Sequence, residues 1–181
     1  MALREAITAD DALERVRGAL GDLASEIELN FDQVDVTCSP NNLVQIATTL
    51  RDGPDLQCHF FTFLSGVDRS AFGDEPEPRL EVLVHLYSPE HVFHVNIHVP
   101  LDLANPVCPS LTATFRGAYW QERETHEMFG ISFTGHPNLS NLYLPEDFEG
   151  HPLLKSFKLP GRHVKEWPGA KDPDEAAAGS R

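Results

Sequence analysis

The histidines have the most versatile chemistry in this chain, since a neutral imidazole can bind zinc and its charge changes near neutral pH. Among the nine histidines, His94 and His98 lie on one face of a predicted strand, but four residues of strand hold them roughly 13 Å apart. A single zinc ion, with bonds of about 2 Å, cannot bridge that distance. His85 lies on the neighbouring predicted strand and can approach only one of them. We therefore expect polar histidines on a sheet face. A histidine-based metal-dependent hydrolase is kept as the alternative from a different class.

A third helix, predicted at residues 118–129, carries carboxylates beside large apolar side chains. Trp120, Glu124 and Met128 are spaced to lie on one helix face. Arg123 and Glu127 are four residues apart and can form an ion pair. Carboxylates beside Trp and Met belong to the apolar side, so we expect at least one to be buried at an interface between subunits or paired with Arg123. Paired carboxylates could also act as acid and base. No nucleophile, metal set or phosphate loop accompanies them, so the sequence favours a structural role.

The sequence lacks the common signals for cofactors and nucleic acid. It has no Gly-x-Gly-x-x-Gly after a strand and no Gly-Lys-Ser/Thr. Cys38, Cys58 and Cys108 are far apart and too few for the four thiolates of an iron–sulfur cluster, so we expect buried free thiols. A net charge of -14 repels phosphate backbones and argues against nucleic acid. No apolar run approaches the roughly 18 residues of a membrane span. These features predict a cytoplasmic protein that meets a membrane only through partners.

Helical spacing and strand alternation predict an α+β fold. Asp10 or Asp11 is expected to cap a first helix whose apolar positions recur as far as Ile27. Pro40 stands in the first turn of a second helix that should run to about Arg51. Strands are predicted at residues 33–38, 58–64, 80–87 and 91–99, the last two as a hairpin, and the third helix at 118–129.

The predicted architecture is a pair of N-terminal helices packed on a small mixed sheet, followed by the third helix and an extended C-terminal arm. Gly130 follows the third helix where a left-handed glycine cap is common. We assign residues 1–135 to an α+β core domain that includes this helix, 136–163 to the extended arm, and 164–181 to a disordered tail. The tripeptide Gly-His-Pro occurs twice, at residues 135–137 and 150–152.

The third helix and the segments after it resemble, in order, the signature of a known family. Trp-Gln-Glu-Arg-Glu stands at residues 120–124, Met-Phe-Gly-Ile at 128–131, Gly-His-Pro at 135–137 and Glu-Gly-His-Pro-Leu at 149–153. This ordered set is similar to the 30 kDa subunit family of bacterial respiratory NADH:quinone oxidoreductase, which is also called complex I. The positions that the resemblance marks as family signature and as contacts between subunits are Trp120, Glu122, Arg123, Glu124, Glu127, Phe129, Gly130, Gly135, His136, Pro137, Gly150, His151 and Pro152.

The resemblance implies an accessory, cofactor-free subunit of the peripheral arm of a proton-translocating NADH:quinone oxidoreductase. Such a subunit lies on the cytoplasmic side of the cell membrane, braces the quinone-reducing module and has no active site of its own. The implied partners are the large subunit that helps to form the quinone cavity and the cluster-bearing connecting subunits, which the arm at residues 136–163 would contact. NADH, FMN, iron–sulfur clusters and quinone then belong to the whole complex, and none to this chain.

Equivalent subunits occur in membrane-bound energy-converting hydrogenases and in deazaflavin-dependent dehydrogenases. These complexes are the nearest alternative that the resemblance allows. This sequence also departs from the family, which usually has Asp where Glu127 stands.

Overall fold

The computed structural model describes residues 6–71 and 79–159. In these two ranges the chain forms three α-helices, seven strands and two short 3-10 turns. The α-helices are α1 (Ala9–Leu20), α2 (Leu43–Asp52) and α3 (Ala118–Phe129). The strands are β1 (Glu26–Asn30), β2 (Gln33–Thr37), β3 (Phe60–Asp68), β4 (Arg79–Ser88), β5 (Phe93–Asp102), β6 (Val107–Pro109) and β7 (Ser132–Thr134). The 3-10 turns are Gly21–Leu23 and Pro40–Asn42.

Five of the strands form a mixed sheet in the order β1-β2-β5-β4-β3. The β2–β5 pair is parallel, while β1–β2, β5–β4 and β4–β3 are antiparallel. A separate parallel pair, β6–β7, lies next to α3 in the chain. The predicted α+β fold is therefore confirmed, and so is the hairpin of β4 and β5.

The two faces of the sheet differ in the way that the alternation on β5 predicted. Val95, Ile97 and Val99 are buried in the core, where the helices cover the sheet. His94 and His98 lie on the opposite face, which we call the open face. Successive residues of a strand point to opposite faces. The alternation of apolar and polar residues on β5 therefore determines both the core face and the open face of this strand.

Helix α3 packs against β3 at very close range. A Cβ atom at Gly66 would come within 2.6 Å of the Phe129 ring, so only glycine allows this approach. The side chain of Gln121 also accepts a hydrogen bond from the Leu64 backbone N–H. These contacts fix the position of α3 relative to the sheet.

The first helix differs from its prediction at both ends. Its cap is Thr8, whose hydroxyl accepts the Asp11 N–H, and not Asp10 or Asp11. The helix ends at Leu20 because Gly21 has a positive φ of 50°. Ile27 belongs to β1, a strand that the sequence did not predict. Ile27 was assigned to the helix because its spacing from the earlier apolar residues is helical. In the structure it packs against the same core from β1.

The second predicted strand, at residues 58–64, is displaced along the chain. It spans Phe60–Asp68 instead of residues 58–64, and it forms the edge of the sheet. Its apolar and aromatic run favours a buried strand, but Phe60 and Phe63 are exposed. An aromatic run is compatible with a buried strand or with an edge strand that has one open face, and only the sheet order distinguishes them.

Some predictions fall on parts of the chain that the structure does not describe. They are the tail at residues 164–181 and the end of the arm after residue 159. The two boundaries between the three assigned segments stay predictions.

Candidate functional site

The inner face of α3 is not the one that the sequence indicated. Ala118, Glu122 and Phe129 are buried against the core, together with Thr125. Trp120 is 57% exposed. The expected apolar face through Trp120, Glu124 and Met128 is therefore wrong. The carboxylate of Glu122 lies in the middle of the face that is buried. This charged residue interrupts the apolar periodicity by which the sequence would reveal that face.

Glu122 is completely buried and ties α3 to the segment after β6. Its two carboxylate oxygens accept hydrogen bonds of 2.6 Å each, one from the Leu111 N–H and one from the Ser110 hydroxyl. Burial raises the pKa of Glu122 above its ordinary value, and these two hydrogen bonds only partly oppose that effect. The family resemblance marked this residue, but its burial could not be derived from the spacing.

Glu127 is buried on another side of the same helix and holds the arm. Its carboxylate accepts three consecutive backbone N–H groups, from Leu142 at 3.1 Å, Tyr143 at 3.0 Å and Leu144 at 2.5 Å. Burial alone would raise the pKa of Glu127. The three N–H donors outweigh burial, with a further contribution from the positive charge of Arg123, so the pKa lies below its ordinary value. Glu127 is therefore suited to stay ionised at neutral pH.

Arg123 also binds the arm, and the predicted ion pair with Glu127 is not formed. Its guanidinium donates to the backbone oxygens of Ser140, at 2.9 Å, and of Asn141, at 2.7 Å. The same group lies 5.1 Å from the centre of the Trp120 ring, a cation–π distance. The arm offers Arg123 carbonyl acceptors and offers Glu127 N–H donors, so each side chain binds the arm instead of the other.

Glu124 has a different environment from its two neighbours on α3. Its side chain is partly exposed and makes no hydrogen bond or ion pair with any residue that the structure describes. Burial at a subunit interface or pairing with Arg123 was expected for Glu124 or Glu127. Glu127 is buried, but against the arm of its own chain.

Gly130 and His151 meet where α3 ends. Gly130 has φ 75° and ψ 13°, which confirms the predicted left-handed cap. A Cβ atom at Gly130 would lie 2.7 Å from Nε2 of His151. Nδ1 of His151 donates to the backbone oxygen of Glu127 at 2.8 Å, so this nitrogen carries the hydrogen. Gly130 is thus required both for its backbone conformation and for the space that the His151 ring occupies.

The two Gly-His-Pro segments perform the same task, which the sequence repeat alone did not reveal. Nε2 of His136 donates to the backbone oxygen of Tyr119 at 3.0 Å, while Nδ1 accepts the Asn138 N–H. His136 and His151 therefore both donate to carbonyl oxygens of α3, near its beginning and near its end. Gly135 and Gly150 have φ values of 86° and 91°. Each tripeptide turns the chain back towards the helix.

A contact that the sequence did not indicate extends this attachment to the sheet. Asp68, at the end of β3, accepts the Lys155 backbone N–H at 2.7 Å. Leu153 donates its N–H to the Met128 oxygen at 3.1 Å. We call the set formed by Arg123, Glu127, Gly130, His136 and His151 the helix–arm clamp.

The clamp is built for positioning. Its charged groups bind backbone amides and carbonyls, which leaves their hydrogen-bonding capacity largely occupied. In residues 6–71 and 79–159 no group of three His, Cys, Asp or Glu side chains is placed to hold a metal ion. His85 and His94 form a pair with 3.1 Å between ring nitrogens, and His98 lies 2.7 Å from Glu81 instead. The histidines of the open face thus do not converge on one point.

The comparisons with known proteins identify the family. The sequence profile described as "Respiratory-chain NADH dehydrogenase, 30 Kd subunit" matches residues 36–163. This chain belongs to the family of the 30 kDa subunit of respiratory-chain NADH dehydrogenase, which is complex I. The match includes the whole of α3 and all described residues of the arm.

Individual relatives agree with this assignment. A NADH-quinone oxidoreductase subunit of Roseiflexus sp. (strain RS-1) is 43% identical over 153 residues, which cover 84% of this chain and 85% of that protein. The corresponding NADH-quinone oxidoreductase subunit of Rhizobium meliloti (strain 1021) is 40% identical over 148 residues, covering 81% of this chain and 70% of that protein.

Two solved structures share the fold. A trypsin-resistant fragment of Nqo5 superimposes with a TM-score of 0.58 and 25% identity, covering 71% of this chain and 99% of the fragment. A chain of the archaeal membrane-bound sulfane sulfur reductase gives a TM-score of 0.67 at 18% identity, covering 83% of this chain and 85% of that chain. None of the helices in the described parts of this chain is long and apolar enough to cross a membrane.

The first prediction concerns Gly130. Gly130→Ala should lower the free energy of unfolding by more than the roughly 1–2 kcal/mol that a left-handed backbone costs a residue with a Cβ atom, because the methyl group also displaces His151. Gly135→Ala is the matched control, since its φ is also positive but nothing lies within 4 Å of its Cβ position. Chemical unfolding of both variants, repeated in a His151→Ala background, measures the two contributions. Equal losses at both glycines would contradict the contact with His151.

The second prediction concerns the pH dependence of the clamp. Glu127→Gln should lower the free energy of unfolding at neutral pH by roughly 1–3 kcal/mol, because a side-chain amide places its NH₂ against backbone donors. The folded pKa of Glu127 lies below that of the unfolded chain. Its contribution is therefore complete above the unfolded pKa of about 4.3 and is lost as the pH falls through the folded value. The difference between wild type and variant should shrink in that acidic range.

Glu122→Gln is the matched control for this measurement. The folded pKa of Glu122 is raised, so its effect has the opposite sign. The wild type should lose stability relative to this variant as the pH rises from the unfolded pKa through the folded value. Urea unfolding at a series of pH values tests both trends. A difference for Glu127→Gln that does not change with pH would show that the charge of this carboxylate is unimportant.

Proposed function

We propose that this chain is an accessory, cofactor-free subunit of the peripheral arm of a proton-translocating NADH:quinone oxidoreductase. In this proposal it braces the quinone-reducing module on the cytoplasmic side of the membrane. Its partners are the large subunit that helps to form the quinone cavity and the cluster-bearing connecting subunits, and it meets the membrane only through the complex. Membership of the family supports the complex, and the helix–arm clamp supports the bracing role.

The observation that carries the bracing role is the use of the signature residues. Arg123 and Glu127 direct their hydrogen bonds to the backbone of the arm. His136 and His151 bind carbonyl oxygens of α3. Residues that bind backbone in this way position a segment of chain, and they leave no free acid, base or nucleophile aimed at a common point.

Helix α3 and the arm also expose several large apolar side chains. Apolar side chains that lie together on a surface mark sites of interaction between proteins. Their burial by neighbouring subunits would remove apolar area from water. They are Trp120, Tyr143, Phe148, Leu153 and Leu159, with exposed fractions of 57%, 63%, 39%, 53% and 82%.

A related complex with different redox chemistry is the second candidate. The fold shared with the sulfane sulfur reductase chain supports this candidate, as does the resemblance to subunits of hydrogenases and deazaflavin-dependent dehydrogenases. The subunits that co-purify with this chain distinguish the candidates. NADH-oxidising flavin subunits support the NADH-driven complex, and a nickel–iron subunit supports the hydrogenase.

The third prediction tests the absence of a cofactor. The purified full-length chain should show no visible absorbance from flavin or iron–sulfur groups and should not oxidise NADH. The reason is that its three described cysteines are buried and free, and a cluster usually requires four thiolates. Absorption spectroscopy and iron analysis on freshly purified protein check this expectation. A stoichiometric chromophore would disprove a cofactor-free subunit.

The fourth prediction separates bracing from chemistry. Arg123→Ala removes the hydrogen bonds to Ser140 and Asn141, so the arm should be held less firmly and less complex should assemble. Arg123→Lys keeps the positive charge but loses the planar fork, and it should give an intermediate amount of complex. NADH:quinone activity of membranes, divided by the complex content on a native gel, should stay near that of the wild type.

The normalised activity decides the outcome of this experiment. Normal assembly with a large loss of turnover per complex would assign Arg123 to coupling or catalysis and would reject the bracing role. Glu124→Gln is the comparison variant on the same helix, because Glu124 binds no described part of this chain. If Glu124→Gln lowers assembly, the cause is a lost contact between Glu124 and a partner subunit, because the clamp is unchanged in this variant.

A further inference from the structure

The turn between β1 and β2 has a backbone that does not suit its sequence. Asn30 pairs with Gln33, which leaves Phe31 and Asp32 as a two-residue turn. Both residues have positive φ values, 52° for Phe31 and 61° for Asp32. A hairpin turn of this kind favours Asn-Gly, because asparagine and glycine tolerate the left-handed region. A bulky aromatic residue in that conformation is an outlier.

Nothing in the described chain offsets this strain. The Phe31 side chain is 98% exposed, more than any other large apolar side chain of the described residues. It therefore gains no packing energy from the fold that it strains. Residues held in unfavourable backbone conformations cluster at ligand-binding sites and switches, where a function maintains them.

A second unfavourable arrangement lies in the same hairpin. Glu28 is directly opposite Asp35 in the pairing of β1 with β2, and like charges in this position destabilise a sheet. Asp35 is partly compensated, since Asn30 and Asn96 donate to it at 3.0 Å and 2.7 Å. Glu28 and its neighbour Glu26 are exposed.

The hairpin forms one side of an acidic cleft on the open face. The cleft is also lined by Glu81, His98, Arg69 and Arg79. The guanidinium of Arg69 lies 2.6 Å from Glu81, and His98 lies 2.7 Å from the same carboxylate. These groups neutralise the inner end of the cleft, while the exposed carboxylates of Glu26 and Glu28 remain at its hairpin side.

We propose that Phe31 is a docking anchor that inserts into an apolar pocket on another subunit of the complex, and that Lys or Arg side chains at the rim of that pocket bind Glu26 and Glu28. The proposal rests on the proposed function, in which this chain is a subunit of a larger complex. Aromatic side chains are common anchors at the centres of interfaces. The exposed carboxylates on β1 of the same hairpin favour a basic partner surface through charge complementarity. A second copy of this chain that docks through the same hairpin does not fit, because its carboxylates would face carboxylates.

Two variants separate the backbone strain from the side chain. Phe31→Asn relieves the strain and removes the ring, whereas Asp32→Gly relieves strain in the same turn and keeps the ring. Both should raise the melting temperature of the isolated full-length chain, because each places a more tolerant residue at a positive φ. Only Phe31→Asn should weaken binding to the complex, by at least about 10-fold, as expected when an anchoring aromatic residue is lost.

Binding is measured on the complete complex. A tag on a different subunit retrieves the complex from cells that carry each variant, and the amount of this chain per complex is followed during dilution at low and at high salt. Retention of Phe31→Asn equal to that of the wild type would overturn the anchor. Absence of the wild-type chain from the complex would instead overturn the proposed function, so the two failures are distinguishable.

A photo-crosslinking amino acid in place of Phe31 identifies the partner. The expected product joins this chain to another subunit of the complex, at an apolar segment with Lys or Arg beside it. Charge-reversal Glu28→Lys should then lower retention, and reversal of the crosslinked basic residue should restore it. Crosslinks only between two copies of this chain, or no rescue by the paired reversal, would reject the proposed partner.

Discussion

The carboxylate of Glu127 accepts three backbone N–H groups in succession, from residues 142–144. This segment belongs to no helix or strand, so its amide groups have no partners from secondary structure. Amide groups left without partners and away from water would cost free energy. A single buried anion satisfies all three, and in doing so it fixes the path of the arm beside α3. Further contacts hold the arm on the same helix. Arg123 donates to arm carbonyls, His136 and His151 donate to carbonyls of α3, and Gly130 leaves space for the His151 ring.

Helix α3 holds two buried carboxylates whose pKa values move in opposite directions. Both are removed from water, which favours the neutral acid. Glu122 receives two hydrogen bonds, and burial prevails, so its pKa rises. Glu127 receives its hydrogen bonds from three backbone donors near the charge of Arg123, and its pKa falls. The deeper burial of Glu122 and the three backbone donors of Glu127 together move the two pKa values apart. Glu127, the carboxylate with the lowered pKa, holds the arm.

This chain belongs to the 30 kDa family of complex I, and several of its signature residues form hydrogen bonds with its own backbone. Such residues preserve the shape of the surface that the arm forms on α3. The same fold occurs in a chain of a sulfane sulfur reductase with only 18% identity, which agrees with the general rule that a fold does not determine a function. The docking anchor proposed at Phe31 follows β1, at one edge of the sheet, whereas α3 packs against β3 at the other edge. In that proposal this chain contacts its complex through two separate regions.

The sequence by itself determined the local elements that have a strong period or a specific stop signal. The alternation on β5 correctly predicted its buried valines and its polar histidines, because side chains on a strand must alternate between two faces. Gly130 correctly predicted the end of α3, because only glycine enters the left-handed region without strain. The ordered signature motifs led to the family, although they did not explain what each residue does.

Only the tertiary structure decided which side chains of α3 face the core and which face the arm. Helical spacing placed Trp120 inside, yet the inner face contains Glu122, because a buried carboxylate with two hydrogen bonds is tolerated where an isolated one is not. The spacing of Arg123 and Glu127 allowed an ion pair, but spacing cannot show that the arm supplies competing donors and acceptors. Those partners are 15–18 residues further along the chain. Contacts over such separations depend on the path of the chain in space, which no local pattern of residues records.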